Sequence, residues 1–459
     1  MKKANQLLFL LLLLSTTQRS IAQHLSTKLD QLISASYRSI APGCAVLVAQ
    51  KGKVVYEKGF GTANLELQVG MRPEMVFRIG SMTKQYTAVA ILRLAEQGKI
   101  SLQDSIQKFL KGFPYKGQTV TIENLLTQTS GLVDYQVFDF HIPNAIRIDF
   151  SPQQIIDTLA SRALEFIPGS RFQYSNSNYL ILGYIIEQVT GMSYAEYLQE
   201  NILQPAGLSM TFYDSPAKII RNRVSGYIKD GDSYSNAGYI SMSQVFSAGA
   251  LLSSTGDLFR WHQALYSYKL INKQAIEKAF MPYRLADGTL SEYGYGWFIK
   301  DFLGTRSIAH GGAIDGFRSM EAYFPEQDVF VATLFNAESN DFLSLFEKIA
   351  QLALGQQPDT SRKDLKLPAA VLNSYVGRYR FQEDTSQYLQ IRKEGDHLYA
   401  DLSNNSGNGM VLQAQSQTLF YLPDIKRMPT TIEFIIANKK VIGLYWIQDK
   451  KHEARRTER

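Results

Sequence analysis

The stretch Pro73–Gln97, PEMVFRIGSMTKQYTAVAILRLAEQ, places an odd pair at the mouth of a helix: Ser81 and Lys84 precede the apolar series Ala88, Ile91 and Leu94. Residues three apart share a helix face, so the ammonium can reach the hydroxyl. A serine hydroxyl is a poor nucleophile until a base takes its proton. Lysine is such a base only when neutral, and its free pKa is about 10.4. Burial and a neighbouring positive centre both lower that value, and a helix N-terminus embedded between two lobes would supply both. The competing reading is that Ser81 caps the helix and Lys84 pairs with an acid. The spacing alone does not decide, because S-x-x-K also occurs at Ser105–Lys108 and Ser215–Lys218. The former opens an ordinary amphipathic stretch with a solvated lysine, and the latter follows a turn with no supporting partner.

Outward from this helix, strand-like segments fall in two groups. CAVLVAQ and VVYEKGF flank KGK, a hairpin signal, and YGWFIK, SIAH, SMEAYFP and VFVATLF follow much later. Between them lie helical patterns such as TAVAILRLAEQGK and NYLILGYIIEQVTG, the second ending at Gly191. The simplest architecture is α+β: early and late strands join one antiparallel sheet flanked by helices, with the middle as an inserted helical lobe. A crevice between lobes is a default place for a site. Around LGQQPDTSRKDLKLP the apolar density falls, and short strands separated by turns follow. The organisation expected is a main domain over 23–355, a linker over 356–368, and a small all-β barrel or sandwich over 369–459.

The first 22 residues have a basic start, an apolar run from Leu7 to Leu14 and the small-x-small end Ser20, Ile21, Ala22. That is the pattern of a secretory signal peptide cut after Ala22, so a periplasmic or secreted protein is expected. The apolar run is too short for a bilayer helix, which needs about 20 residues, and no later segment comes close. The net charge of +6 misleads: loss of Lys2, Lys3 and Arg19 with the leader leaves 45 of the 48 basic residues against 42 acidic ones. Much of the remaining excess sits in the terminal KKHEARRTER, which reads as a solvated tail. No concentrated basic face is offered to nucleic acid. The single cysteine, Cys44, lies in a strand pattern as a buried small hydrophobe and allows no internal disulfide. Six scattered histidines, with no H-E-x-x-H, give no metal site, and the G-x-S-x-G elbow is absent.

Two further patches matter. Tyr174 and Asn176 stand just before a helix in FQYSNSNYLILGY, and His310 precedes two glycines in SIAHGGAIDGF. With Ser81–Lys84 they resemble, in order, the three motifs of serine β-lactamases and penicillin-binding proteins. The match is nearest to the class C β-lactamase-related group, which includes DD-peptidases, D-aminopeptidases and esterases. LLTQTSGL from Leu125, GLSMT from Gly207, SAGALLSSTGDLFRW from Ser247 and YGYGW from Tyr293 look like landmarks of the same group. The similarity runs over roughly residues 35 to 355. A second YSN, at Tyr234, lacks a following helix and is set aside.

The resemblance implies a β-lactamase/transpeptidase-like fold and an acyl-enzyme mechanism without metal or organic cofactor. Ser81 would be the nucleophile and Lys84 its base, directly or through Tyr174. Tyr174 would shuttle protons if nearby cations depress its pKa. Asn176 would hold Lys84 and the substrate amide. The N–H groups of Ser81 and Ala313 would face the tetrahedral oxygen, Gly312 would let substrate approach, and His310 would line the pocket with a hydrogen bond or a partial positive charge. His310 stands where many relatives carry lysine, which favours an esterase or peptidase over an efficient β-lactamase. Gln128 also departs from the histidine of that group. The expected substrate is a small ester, amide or cell-wall peptide. The alternative is a catalytically silent receptor for muropeptides or a protein partner in the same cleft. The terminal domain resembles small β-barrel modules found behind such catalytic domains, with YVGRYRF from Tyr375 as its first strand.

Overall fold

The computed structural model describes residues 23–37, 40–110, 112–114, 117–137, 145–230, 233–338, 342–358, 365–383, 385, 387–403, 410–422, 430–438, 440–447 and 451–457. The expected signal peptide lies outside them. The chain divides into two compact units: residues up to 339 with 349–356, and 340–348 with 357–459.

The first unit is built on six antiparallel strands: β1 (Cys44–Gln50), β2 (Lys53–Phe60), β3 (Phe298–Phe302), β4 (Thr305–Ile314), β5 (Phe317–Phe324) and β6 (Val329–Phe335). Their order is β3-β4-β5-β6-β1-β2. The early hairpin thus joins the late meander through β1 and β6, in register from Cys44↔Phe335 to Gln50↔Val329. Both central strands are buried on both faces, which is why CAVLVAQ and VFVATLF read as continuous apolar runs rather than alternating ones. Cys44 is fully buried there, and burial raises its thiol pKa, as suits a packing residue. The strand seen in SIAH runs further than its letters suggest, through both glycines to Ile314.

Between β2 and β3 lies the helical lobe. Its main helices are α1 (Thr83–Glu96), α2 (Asn176–Thr190), α3 (Met242–Gly249) and α4 (Thr255–Tyr266). The stripe Ala88, Ile91, Leu94 understates α1: every residue from Thr83 to Leu92 is at most 3% exposed. A helix wrapped by other elements on all sides needs no polar face, so its sequence loses amphipathic contrast. Helix α2 ends as expected at Gly191, whose left-handed φ of 71° closes it.

The second unit is a closed eight-stranded barrel, which resolves the barrel-or-sandwich alternative. Its strands are β7 (Gly377–Phe381), β8 (Tyr388–Glu394), β9 (His397–Leu402), β10 (Met410–Ala414), β11 (Leu419–Leu422), β12 (Thr430–Ala437), β13 (Lys440–Ile447) and β14 (Lys451–Arg456). Leu389, Ile391, Leu398, Phe420, Ile432 and Leu444 fill its centre. The reading of KKHEARRTER as a solvated tail is wrong. Lys451–Arg456 is the closing strand, pairing with β13 and, through Tyr379↔Arg456, with β7. Ala454 is the inward residue that a run of charges conceals, and closure removes the exposed sheet edges that would otherwise need covering.

Candidate active site

The nucleophile candidate sits on a tight entry to α1. The chain leaves a short strand at Phe77–Arg78, turns at Gly80 with φ 51°, and passes through a 3-10 turn at Gly80–Met82 into the helix. Position 80 has to lack a side chain: a Cβ there would lie 3.0 Å from the Ala313 nitrogen. Ser81 lies inside the turn at neither cap position: Ile79 precedes the turn and Met82 precedes the helix, and neither end has a side-chain capping bond. The helix-capping reading of Ser81 is therefore removed.

Lys84 is fully buried, and its Nζ lies 3.1 Å from Ser81 Oγ, 2.8 Å from Asn176 Oδ1 and 2.8 Å from the Ala248 carbonyl oxygen. None of the three is a charge. Burial therefore lowers the amine's pKa from 10.5 to about 7, against a smaller upward pull from the Asp134 carboxylate. A neutral amine has two N–H bonds and one lone pair. The amide oxygen and the carbonyl oxygen can only accept, so they take the two hydrogens. The lone pair is left facing the Ser81 hydroxyl, which can donate to it. This arrangement can deprotonate a serine near neutral pH.

The Ala248 carbonyl owes its position to strain. Within α3, Phe246 adopts φ 37° and ψ −129°, a conformation a bulky residue rarely takes. The kink directs the Ser247 carbonyl to Thr87 Oγ1 at 2.7 Å and the Ala248 carbonyl to Lys84. The landmark SAGALLSS thus supplies backbone, not side chain, to the lysine.

Tyr174 and Asn176 bracket the start of α2. Gln128 Oε1 accepts from Ser175 N–H at 2.9 Å and from Asn178 Nδ2 at 2.5 Å, which anchors the two residues between them. Asn176 is the first helical residue and not the cap. The Tyr174 ring centroid lies 4.9 Å from Lys84 Nζ, and its hydroxyl is near enough to that of Ser81 for the two to interact. Burial pushes the Tyr174 pKa up; the Ser81 hydroxyl lowers it by less than burial raises it, and Asp134 adds a smaller upward push. The expectation of a depressed tyrosine pKa is thus corrected: burial of the phenol dominates, and the Lys84 amine, its own pKa lowered to about 7, does not offset it. Tyr174 is a neutral phenol able to relay a proton.

The third motif lies on β4. A Cβ on Gly312 would fall 2.0 Å from the Ile79 oxygen and 2.5 Å from Ser319 Oγ. Ser319 Oγ donates to that same oxygen at 2.9 Å, so bare backbone at 312 lets the strand dock against the Ser81 turn, with Ala313 beside Gly80. His310 is buried with its ring centroid 6.2 Å from that of Tyr174. Its Nδ1 lies 2.6 Å from the Gly311 oxygen and its Nε2 3.2 Å from Tyr293 Oη. A carbonyl only accepts, so Nδ1 carries the hydrogen and Nε2 accepts from Tyr293. Burial, followed by the neighbouring Lys84, lowers the imidazole pKa from 6.5 to about 3. The expected partial positive charge is absent, and the ring is neutral. YGYGW is explained in part by the same bond: Tyr293 orients His310.

The structure thus brings Ser81, Lys84 and Asn176 into one hydrogen-bonded set, with Tyr174 against Ser81 and Lys84, Gly312 and Ala313 against its backbone, and His310 across from Tyr174. Asp134, Tyr293 and the Ala248 carbonyl belong to the set but were not singled out from sequence. Their only signal is that each sits in or beside a landmark segment. Among the described residues, no group of three or more His, Cys, Asp or Glu could hold a metal ion, and no helix is long and apolar enough to cross a membrane.

Comparisons agree with this geometry. Residues 29–354 match the family model described as Beta-lactamase. The chain is 30% identical over 431 residues to penicillin-binding protein 4* of Bacillus subtilis, covering 89% of this chain and 93% of that protein. The octameric penicillin-binding protein homologue of Pyrococcus abyssi superposes with a TM-score of 0.64 at 26% identity, over 94% of this chain and 99% of that one. A D-stereospecific amidohydrolase from Streptomyces shares the fold, with a TM-score of 0.58 at 23% identity, over 68% of this chain and 94% of that one. With a family model matched over residues 29–354 and a relative 30% identical over most of both chains, the chain belongs to the Beta-lactamase family of serine hydrolases.

Proposed function

We propose that this chain is an exported serine hydrolase that cleaves small esters or amides through an acyl-enzyme on Ser81, and that its amide substrates carry D-residues of cell-wall origin. Lys84, neutral and unpaired with any acid, takes the Ser81 proton as the hydroxyl attacks the acyl carbonyl. Tyr174 passes a proton to the leaving group, and Asn176 holds Lys84 while contacting the substrate amide. The backbone amides of Ser81 and Ala313 face the developing oxyanion, where aimed donors contribute most.

The observation that carries the substrate reading is His310. Its two nitrogens are both engaged and the ring is neutral, so the third motif supplies no fixed cation for a substrate carboxylate. A penicillin or a peptide with a free C-terminus would be gripped less well there than an ester or a blocked aminoacyl amide. Export rests on the leader-like start of the sequence, and the names of the B. subtilis and Streptomyces proteins support a wall-related D-substrate.

The test is turnover by purified protein of short-chain nitrophenyl esters, D-aminoacyl anilides, D-alanyl peptides and nitrocefin, beside fluorophosphonate labelling of wild type and Ser81→Ala. Esters and D-aminoacyl anilides should be cleaved faster than nitrocefin, with labelling lost in Ser81→Ala. Nitrocefin as the best substrate overturns the role given to His310. A folded wild type that neither labels nor turns over any substrate favours the silent receptor.

A further inference from the structure

We infer that Asp134 is a positioning residue, which fixes the amide of Asn176 so that the free electron pair of Lys84 points at Ser81. This rests on the hydrolase reading above and adds to it a residue outside the three motifs.

An amide side chain has no direction of its own. An asparagine can present either its oxygen or its NH2 to a neighbour, and the two ends have nearly the same shape. At position 176 the choice matters. If the oxygen faces Lys84, it takes one amine hydrogen, the Ala248 carbonyl takes the other, and the lone pair is left for Ser81. If the NH2 faced Lys84, the amine would have to accept from it, and its lone pair would be spent on the wrong partner. Lys84 cannot settle this itself, because an amine both donates and accepts.

Asp134 does settle it. A carboxylate only accepts. Asp134 Oδ2 lies 2.9 Å from Asn176 Nδ2 and 3.0 Å from the Asn176 backbone nitrogen. One oxygen therefore takes both the side-chain and main-chain hydrogens of the same residue, which leaves Asn176 Oδ1 on the lysine side at 2.8 Å. Gln136 Oε1 also accepts from Nδ2 at 2.9 Å, but glutamine is itself an amide that can turn, and it is exposed. Only the carboxylate imposes a direction.

The same group acts on the amine through its charge, favouring the protonated form. The other groups facing Lys84 are the phenols Tyr174 and Tyr179, with ring centroids 4.9 and 5.7 Å from Nζ, and the neutral imidazole of His310. Glu321, opposite His310 on β5, takes a bond from Gln85 instead. Among the described residues, Asp134 is thus the carboxylate that both orients Asn176 and holds Lys84 from becoming too weak a base.

The experiment is the rate of Ser81 modification by a fluorophosphonate probe against pH, in wild type, Asp134→Asn and Asp134→Ala, with thermal melting of each. Asp134→Asn keeps the shape and loses the charge, so the acid limb should move about one pH unit lower; as an amide that can turn, it should also lower the plateau, but less than Asp134→Ala does. Asp134→Ala also loses the acceptor, so its plateau rate should fall about 10-fold or more. Limbs and plateaus matching the wild type in both variants overturn the inference. So does an equal loss of plateau in both with the acid limb unmoved, which is what a purely structural role produces. Should Asp134→Ala not fold, the limb of Asp134→Asn decides alone. A wild type that is not labelled at Ser81 overturns the hydrolase reading and this inference with it. A labelled wild type with unmoved variants overturns this inference alone.

Discussion

The pH dependence of Ser81 acylation measures what the burial of Lys84 accomplishes. Its pKa falls from 10.5 to about 7, equivalent to about 5 kcal/mol favouring the neutral amine. At pH 7 about half of the molecules then hold a competent base, against about one in 3,000 for an unperturbed lysine. Acylation of wild type should rise about 100-fold between pH 5 and pH 9 and level off above pH 8. The assay is stopped-time labelling with a fluorophosphonate, which reports the first chemical step without assuming a natural substrate. Lys84→Met fills the same space without a base, so its rate should be far lower and should lack the limb near pH 7. A rate that keeps climbing tenfold per pH unit through pH 9 would mean hydroxide or an ordinary lysine is the base, and would refute the reasoning. Labelling by a folded Lys84→Met with the wild-type profile would refute it equally.

Tyr174→Phe keeps the ring packing and loses the hydroxyl near that of Ser81; because amine leaving groups need a proton and nitrophenolate does not, kcat/KM for D-aminoacyl anilides should fall at least about 10-fold more than for nitrophenyl esters. Gly312→Ala drives a Cβ to 2.0 Å from the Ile79 oxygen, so β4 must retreat from the Ser81 turn; labelling should drop about 100-fold while melting changes little by comparison. Glu321 is buried with one oxygen bonded to Gln85 Nε2 and the other unpartnered, and burial raises its pKa from 4.5 to about 8. Its folded form holds the proton more tightly, so its contribution to stability is fully present below about pH 4.5 and is lost as pH rises through about 8. Glu321→Gln removes that ionisation and should melt several degrees above wild type at pH 9, with little difference at pH 5; an equal difference at both pH values would sink the assignment.

Some of this architecture was legible locally. The 44–50 and 329–335 runs announced central strands because strands buried on both faces are apolar at every position. Gly191 announced a helix end because few residues adopt its φ of 71°. Other parts were hidden for equally physical reasons. In KHEARR only Ala454 is buried, and five polar neighbours mask it; whether such a segment pairs depends on strands about 75 residues away, whose positions no local pattern carries. Asp134 sits in a loop with no periodicity, and its place beside LLTQTSGL does not say that it partners a helix start 42 residues on.

The sequence by itself determined the inventory: a serine and a lysine three apart on a helix, a tyrosine and an asparagine before another, a histidine and two glycines on a strand, and glycines where backbones must touch. Only the tertiary structure decided the chemical state of that inventory. It made Lys84 a neutral base, Tyr174 a protonated phenol and His310 an uncharged ring, and it chose which end of Asn176 meets the lysine. Protonation and orientation are set by how much water is excluded and which acceptors remain within reach. Both depend on neighbours drawn from four or five distant segments, so no single stretch of the chain contains them.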